Sequence, residues 1–123
     1  MPAPVSFLYS DDTLVVVDKP AGVTVIPAPD ITTGACLRDC VASTLGGRVW
    51  VVHRLDRDTS GAVAFARSPE AHRALSMAFE HRDVAKEYRA LVAGRPTPAA
   101  GMVDVALHGA RKGKARPAAP GEP

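Results

Sequence analysis

The sequence has no apolar run approaching the ~18 residues that a membrane span needs. Its opening residues, Met1-Pro2-Ala3-Pro4, lack the basic start and apolar stretch of a signal peptide. A cytoplasmic protein with no membrane attachment is therefore expected. Cysteine is scarce, with Cys36 and Cys40 the only two. Their i, i+4 spacing within a helical pattern places both on one helix face. No Cys-x-x-Cys pair or neighbouring histidine completes a ligand set, so they read as small buried hydrophobes and no metal is expected. Net charge is also low, +2 over the whole chain, which says little about partners. It is unevenly spread, with −2 over residues 1–60 and +4 over residues 61–123. That is a weak polyanion preference, set against the ordinary surplus of surface Lys and Arg. There is no internal repeat.

What is present fits one compact unit. The chain has 123 residues, 46% of them apolar, enough to bury a single core. Val5 to Tyr9 and Thr13 to Asp18 are β-favouring runs joined by Ser10-Asp11-Asp12, residue types that suit a tight turn. Lys19-Pro20-Ala21-Gly22 breaks that pattern, and a loop with Pro27 and Pro29 follows. Thr32 or Thr33 is placed to cap a helix running to about Leu45, with Leu37, Val41 and Leu45 on its apolar stripe and Gly46-Gly47 ending it. Val49 to Val52 and Gly61 to Ala66 read as buried strands around a polar loop, Arg54 to Ser60. Ser68 as N-cap, Pro69 at the first helical position and Glu70 in the first turn predict a helix to about Arg82, with Ala71, Leu75, Ala78 and Phe79 facing the core.

Val84 to Ala93 alternates in part and predicts a strand. Gly94, Pro96, Pro98 and Gly101 mark a linker before a short strand at Met102 to Leu107. From Gly109 to Pro123 the chain is rich in Pro, Gly and positive charge, and a disordered tail is expected. Arg111, Lys112, Lys114 and Arg116 in that tail suit either phosphate contact or a solvated surface. The fold class that follows is α+β, a mixed, largely antiparallel sheet with packed helices and the Arg54–Ser60 loop at a cleft.

The densest chemistry lies in His53-Arg54-Leu55-Asp56-Arg57-Asp58-Thr59-Ser60-Gly61, between two expected core strands. Composition allows a metal site on His53, Asp56 and Asp58, a hydrolase using Ser60, or one carboxylate flanked by arginines. The hydrolase reading lacks the Gly-x-Ser-x-Gly turn that exposes a nucleophilic serine. The metal reading lacks further ligands at a recognisable spacing. The third reading, one carboxylate flanked by arginines, fits best.

Residues 53–61 reproduce at every fixed position the His-Arg-Leu-Asp-x-x-Thr-Ser-Gly signature of RluA-type RNA pseudouridine synthases, and the chain resembles that family. Leu14 to Gly22 is similar to the family's first motif, and Lys86-Glu87-Tyr88-Arg89-Ala90-Leu91-Val92 to its Lys-x-Tyr strand. The resemblance reaches from about Phe7 to Leu107. It implies a partial pseudouridine synthase catalytic domain over residues 1–108, followed by the basic tail at 109–123. The family's domain continues beyond this chain with the second half of the sheet and a basic residue that pairs with the aspartate.

The implied reaction converts uridine in structured rRNA or tRNA to pseudouridine: the base leaves C1′ of the ribose, turns, and rejoins through C5, without a cofactor. Asp56 matches the family's essential aspartate, acting on C1′ as nucleophile or on the 2′ proton. One carboxylate suffices because the leaving base stays bound, whereas a glycosidase needs a second. Arg54 matches the arginine that holds the target nucleotide out of its stack, and Tyr88 the tyrosine that packs on the base. His53 reads as a structural residue or an RNA contact, and Lys19 as structural or phosphate-facing. RNA is the expected partner, with a complementing segment or self-association covering the unpaired sheet edge. The runners-up are a catalytically inactive RNA-binding remnant or accessory half-domain, and a nucleoside glycosidase.

Overall fold

The computed structural model describes residues 5–30, 35–109 and 115–117. The chain divides into two units, one up to Lys86 and one from Glu87. The first unit is an α+β fold built from β1 (Ser6–Ser10), β2 (Leu14–Lys19), α1 (Leu37–Leu45), β3 (Trp50–Val51), β4 (Gly61–Ala66) and α2 (Pro69–Glu80). Its sheet runs β1-β2-β4-β3, and every pairing in it is antiparallel.

The β1–β2 hairpin closes where the aspartates predicted a turn. Asp11 Oδ1 accepts the amides of Thr13 at 2.7 Å and Leu14 at 2.9 Å, so the side chain replaces the bonds the backbone gives up in turning. All five residues of β1 are nevertheless exposed, Phe7, Leu8 and Tyr9 among them, leaving this strand as an apolar sheet edge.

The register between β2 and β4 sets the core. Val15 faces Phe65 and Val17 faces Val63, and all four are buried. Strand side chains alternate, so these four share one face, which Leu37 and Val41 of α1 join in the same cluster with Val25 and Val49. Phe65, wholly buried, contributes roughly 1.5–3 kcal/mol by leaving water. Phe65→Ala, which leaves a cavity as well, would remove about 3–5 kcal/mol. Cys36 and Cys40 are both buried, as small apolar side chains would be.

The helix ends show which signals were local. For α2, Ser68 Oγ accepts the Ala71 amide at 3.1 Å and Pro69 takes the first helical position, as expected from sequence. It ends at Glu80, and of its expected core face Ala71 is buried while Leu75, Ala78 and Phe79 are half-buried. For α1, the expected caps Thr32 and Thr33 lie outside the described residues. The helix starts at Leu37, after Cys36, which gives no side-chain cap. The amides of Leu37 and Arg38 donate instead to the carbonyls of Thr24 at 2.8 Å and Val25 at 3.0 Å. Gly46 then ends the helix in the left-handed conformation, φ 72°, that glycine adopts without strain.

In the second unit, β5 (Leu107–Gly109) pairs antiparallel with β6 (Ala115–Pro117). Two expectations need correction. Val84 to Ala93 forms no strand, and the stretch from Met102 adopts strand conformation only from Leu107. A strand is held by its ladder partner, and no described strand pairs with 84–93, so partial alternation alone does not make one. Leu91, Val92, Met102 and Val103 are correspondingly exposed. Part of the expected tail, Ala115–Pro117, is the strand β6, and the rest of it beyond Gly109 lies outside the described residues. Among the described residues no helix is long and apolar enough to cross a membrane.

Candidate active site

The signature loop leaves the sheet where β3 stops short. The ladder pairs Trp50 with Ala66 and Val51 with Phe65, so Val52 would come next, opposite Ala64. The Ala64 amide instead donates to Nε2 of His53 at 3.0 Å. The imidazole takes the place of a ladder carbonyl, and the backbone is freed to turn outward. On its flat side the His53 ring stacks on Phe79 of α2, with centroids 4.3 Å apart and planes 13° from parallel. Burial, and then the charge of Lys86, push the His53 pKa below its ordinary value, favouring the neutral ring whose Nε2 can accept a hydrogen bond from an amide. Of the two expectations for His53, this geometry is the structural one.

Lys19 is also structural. The alternation that buries Val15 and Val17 carries Lys19 inward as the third of the series, and it is fully buried. Its partner across the ladder is Gly61, which has no side chain to obstruct it. The ammonium donates to the carbonyls of Val23 at 2.6 Å, Arg57 at 2.7 Å and Pro20 at 2.9 Å. All three protons are used on carbonyls, so of the two roles expected for Lys19 this geometry is the structural one, a lock between two loops. Burial pushes its pKa down, while the nearby carboxylates of Asp58 and Asp56 oppose that shift.

The Arg57 carbonyl accepts a second bond, from the Gly22 amide at 2.8 Å. The residue that follows the candidate nucleophile is thereby tied to the Lys19-Pro20-Ala21-Gly22 motif. Asp56 itself opens a β-turn closed by the Thr59 amide donating to the Asp56 carbonyl at 3.1 Å. On the outside, the Arg57 guanidinium grips both carboxylate oxygens of Asp30 at 2.7 Å each, which holds the Asp30 carboxyl below its usual range. Gly61 ends the loop at φ 134°, a conformation closed to ordinary side chains.

Held in this way, the loop presents Asp56 and Arg54 as exposed side chains. Among the described residues neither makes a hydrogen bond or an ion pair, so both are available to a ligand. Tyr88 is 61% exposed and belongs to the second unit. One groove among the described residues lies between α1 and Arg48–Val51, and none of the five candidate residues lines it. Three contributors were not foreseen from sequence: the Arg57 carbonyl, the Asp30 carboxylate and the Phe79 ring as a stacking partner. A signal for the first was there, because a lysine at an inward strand position demands carbonyls nearby.

Chemically, the arrangement is an exposed carboxylate on a hydrogen-bonded turn, two residues after a guanidinium that is unpaired among the described residues. Comparison with known proteins agrees with the motif. The chain is 34% identical over 111 residues to an uncharacterised RNA pseudouridine synthase of Aquifex aeolicus, covering 85% of this chain and 35% of that protein. It is 38% identical over 112 residues to the ribosomal large subunit pseudouridine synthase D of Zymomonas mobilis, with the same two coverages. Among solved structures, human RNA pseudouridylate synthase domain containing 4 superposes with a TM-score of 0.72 at 26% identity, over 92% of this chain and 47% of that one. The chain spans about a third of the length of the curated relatives it matches. The profile of RNA pseudouridylate synthases matches residues 13–118, beyond Leu107 where the recognisable motifs end, and the chain belongs to that family.

Proposed function

We propose that this chain carries the aspartate half of an active site that isomerises specific uridines to pseudouridine in structured rRNA or tRNA, in the cytoplasm. The observation that carries the reading is Asp56: a carboxylate free of hydrogen bonds among the described residues, on a turn whose backbone is fixed by buried Lys19. A nucleophile or base must be uncommitted and well placed, and the unbonded carboxylate on a tied backbone turn supports that reading. The carboxylate attacks C1′, or removes the 2′ proton, as the N1–C1′ bond breaks and uracil leaves with that electron pair. The base turns while still bound, C5 bonds to C1′ as the carboxylate leaves C1′ or returns the proton to C2′, and the C5 proton is lost while N1 is protonated. Arg54, exposed beside it, fills the space left by the extruded nucleotide. Tyr88 packs on the base. The opposite wall of the cleft, and the basic partner of Asp56, come from the segment that the longer relatives carry beyond the matched third.

The chain's own activity follows from that division. On bulk RNA the purified 123-residue chain is expected to form little pseudouridine alone, and to form it when the remaining half of the domain is added in trans. Robust turnover by the chain alone would contradict this division. Binding of RNA without product, even with the second half present, would favour an RNA-binding remnant instead.

A further inference from the structure

We infer that Phe79 is a positioning residue for the Asp56 loop, its ring an anchor shared by His53, which leads into that loop, and Lys86. The inference takes its functional meaning from the uridine-isomerase reading above, but its geometry stands apart from it. Phe79 lies in the last turn of α2, half-buried. His53, three residues before Asp56, stacks on its ring at 4.3 Å. The ammonium of Lys86, two residues before Tyr88, lies 5.4 Å from the centroid of the same ring. An aromatic face suits both, since it accepts a flat imidazole by stacking and a cation through its quadrupole.

The anchor matters because His53 stands outside the strand ladder. Its described hold on the sheet is the bond from the Ala64 amide, which fixes one atom and leaves the ring plane to turn. Stacking on Phe79 fixes the plane. The loop is thus held at two points by different means: at Arg57 by buried Lys19, and at its entry by His53 on Phe79. Arg54 and Asp56 lie between these points. With the entry released, Asp56 samples many orientations, whereas attack at one ribose carbon requires one. A leucine at position 79 fills similar space without offering a plane, and a tyrosine offers the plane again.

The test is amide hydrogen exchange and backbone relaxation of the full chain, comparing wild type with Phe79→Leu and Phe79→Tyr. In Phe79→Leu the amides of Ala64 and of Leu55 to Thr59 are expected to exchange at least about tenfold faster, with the β2–β4 ladder within about twofold of wild type. Lys86 becomes more mobile, and Phe79→Tyr restores both. Loop amides unchanged in Phe79→Leu, or all amides accelerated in parallel, would overturn the inference, the second showing that Phe79 serves general stability only. A measurement on the wild type alone guards against a variant that does not fold: Ala64 should open with the loop rather than with its own strand, and its exchange at the ladder rate overturns the proposal. No RNA enters these experiments, so absence of pseudouridine formation leaves their outcome untouched.

Discussion

The ammonium of Lys19 reaches the carbonyl of Arg57 at 2.7 Å across 38 residues of chain. One buried side chain therefore joins the end of β2 to the residue after Asp56, and the first motif of the sequence shapes the second. A charge in the interior is tolerable because three carbonyls surround it, and each carbonyl depends on the charge in turn.

Removing that charge leaves polar groups unpaired in a buried site. Lys19→Met keeps the stem of the side chain and is expected to lose about 2–4 kcal/mol of unfolding free energy. Urea denaturation followed by circular dichroism measures it. A midpoint equal to wild type would mean that the three bonds contribute nothing.

Asp56→Asn should separate chemistry from folding. The side chain is exposed and makes no hydrogen bond among the described residues, so stability should stay within about 0.5 kcal/mol of wild type. Pseudouridine formation by the complemented chain, assayed by mass spectrometry of digested RNA, should be abolished. Turnover retained in this variant would remove Asp56 from the catalytic role.

The loop's exit is sensitive to a single methyl group. Gly61 sits at φ 134°, and an added Cβ would meet only Leu55 Cδ1, at 3.9 Å. Space is adequate, so the cost of Gly61→Ala is conformational, roughly 1–3 kcal/mol. A thermal unfolding curve overlaying that of wild type would show that the backbone relaxes without strain.

His53 gives the fold a defined response to acid. Its folded-state pKa lies below the ordinary 6.5, through burial first and the Lys86 charge second. Above 6.5 both the folded and unfolded states hold a neutral ring and stability is at its full value. As pH falls below 6.5 the unfolded state takes up the proton first, so stability declines until the pH passes the folded pKa and then levels. Protonation also removes the lone pair that accepts the Ala64 amide. Chemical denaturation between pH 8 and pH 5 should show this decline, and His53→Gln should flatten it. An equal slope in both proteins would place the proton uptake on another group.

Much of the second helix could be read directly. Ser68, Pro69 and Glu70 act within one turn of themselves, so their effect needs nothing distant. The signature loop was legible for a related reason, since its residue types and spacing are specific however the chain folds. The start of α1 was not legible, because its first amides bond to Thr24 and Val25, acceptors from an earlier loop. The expected strand at Val84 to Ala93 failed on the same ground: alternation gives a segment two faces, but pairing needs a neighbour.

The sequence by itself determined the elements whose causes are local: the Asp11 turn, the Ser68-capped helix, the glycine stop at Gly46, and the nine-residue signature that names the family. The tertiary structure supplied the partners of Lys19, outside the signature, and of His53, its first residue. Lys19 and His53 are polar residues with several roles open to them in a linear chain, and only the approach of the Pro20–Val23 loop, β4 and α2 supplies their acceptors, donors and stacking faces. The reason is one of range: dihedral preference and capping act over a few residues, whereas desolvation of a charge and the stacking of rings depend on groups that meet only when the chain has closed on itself.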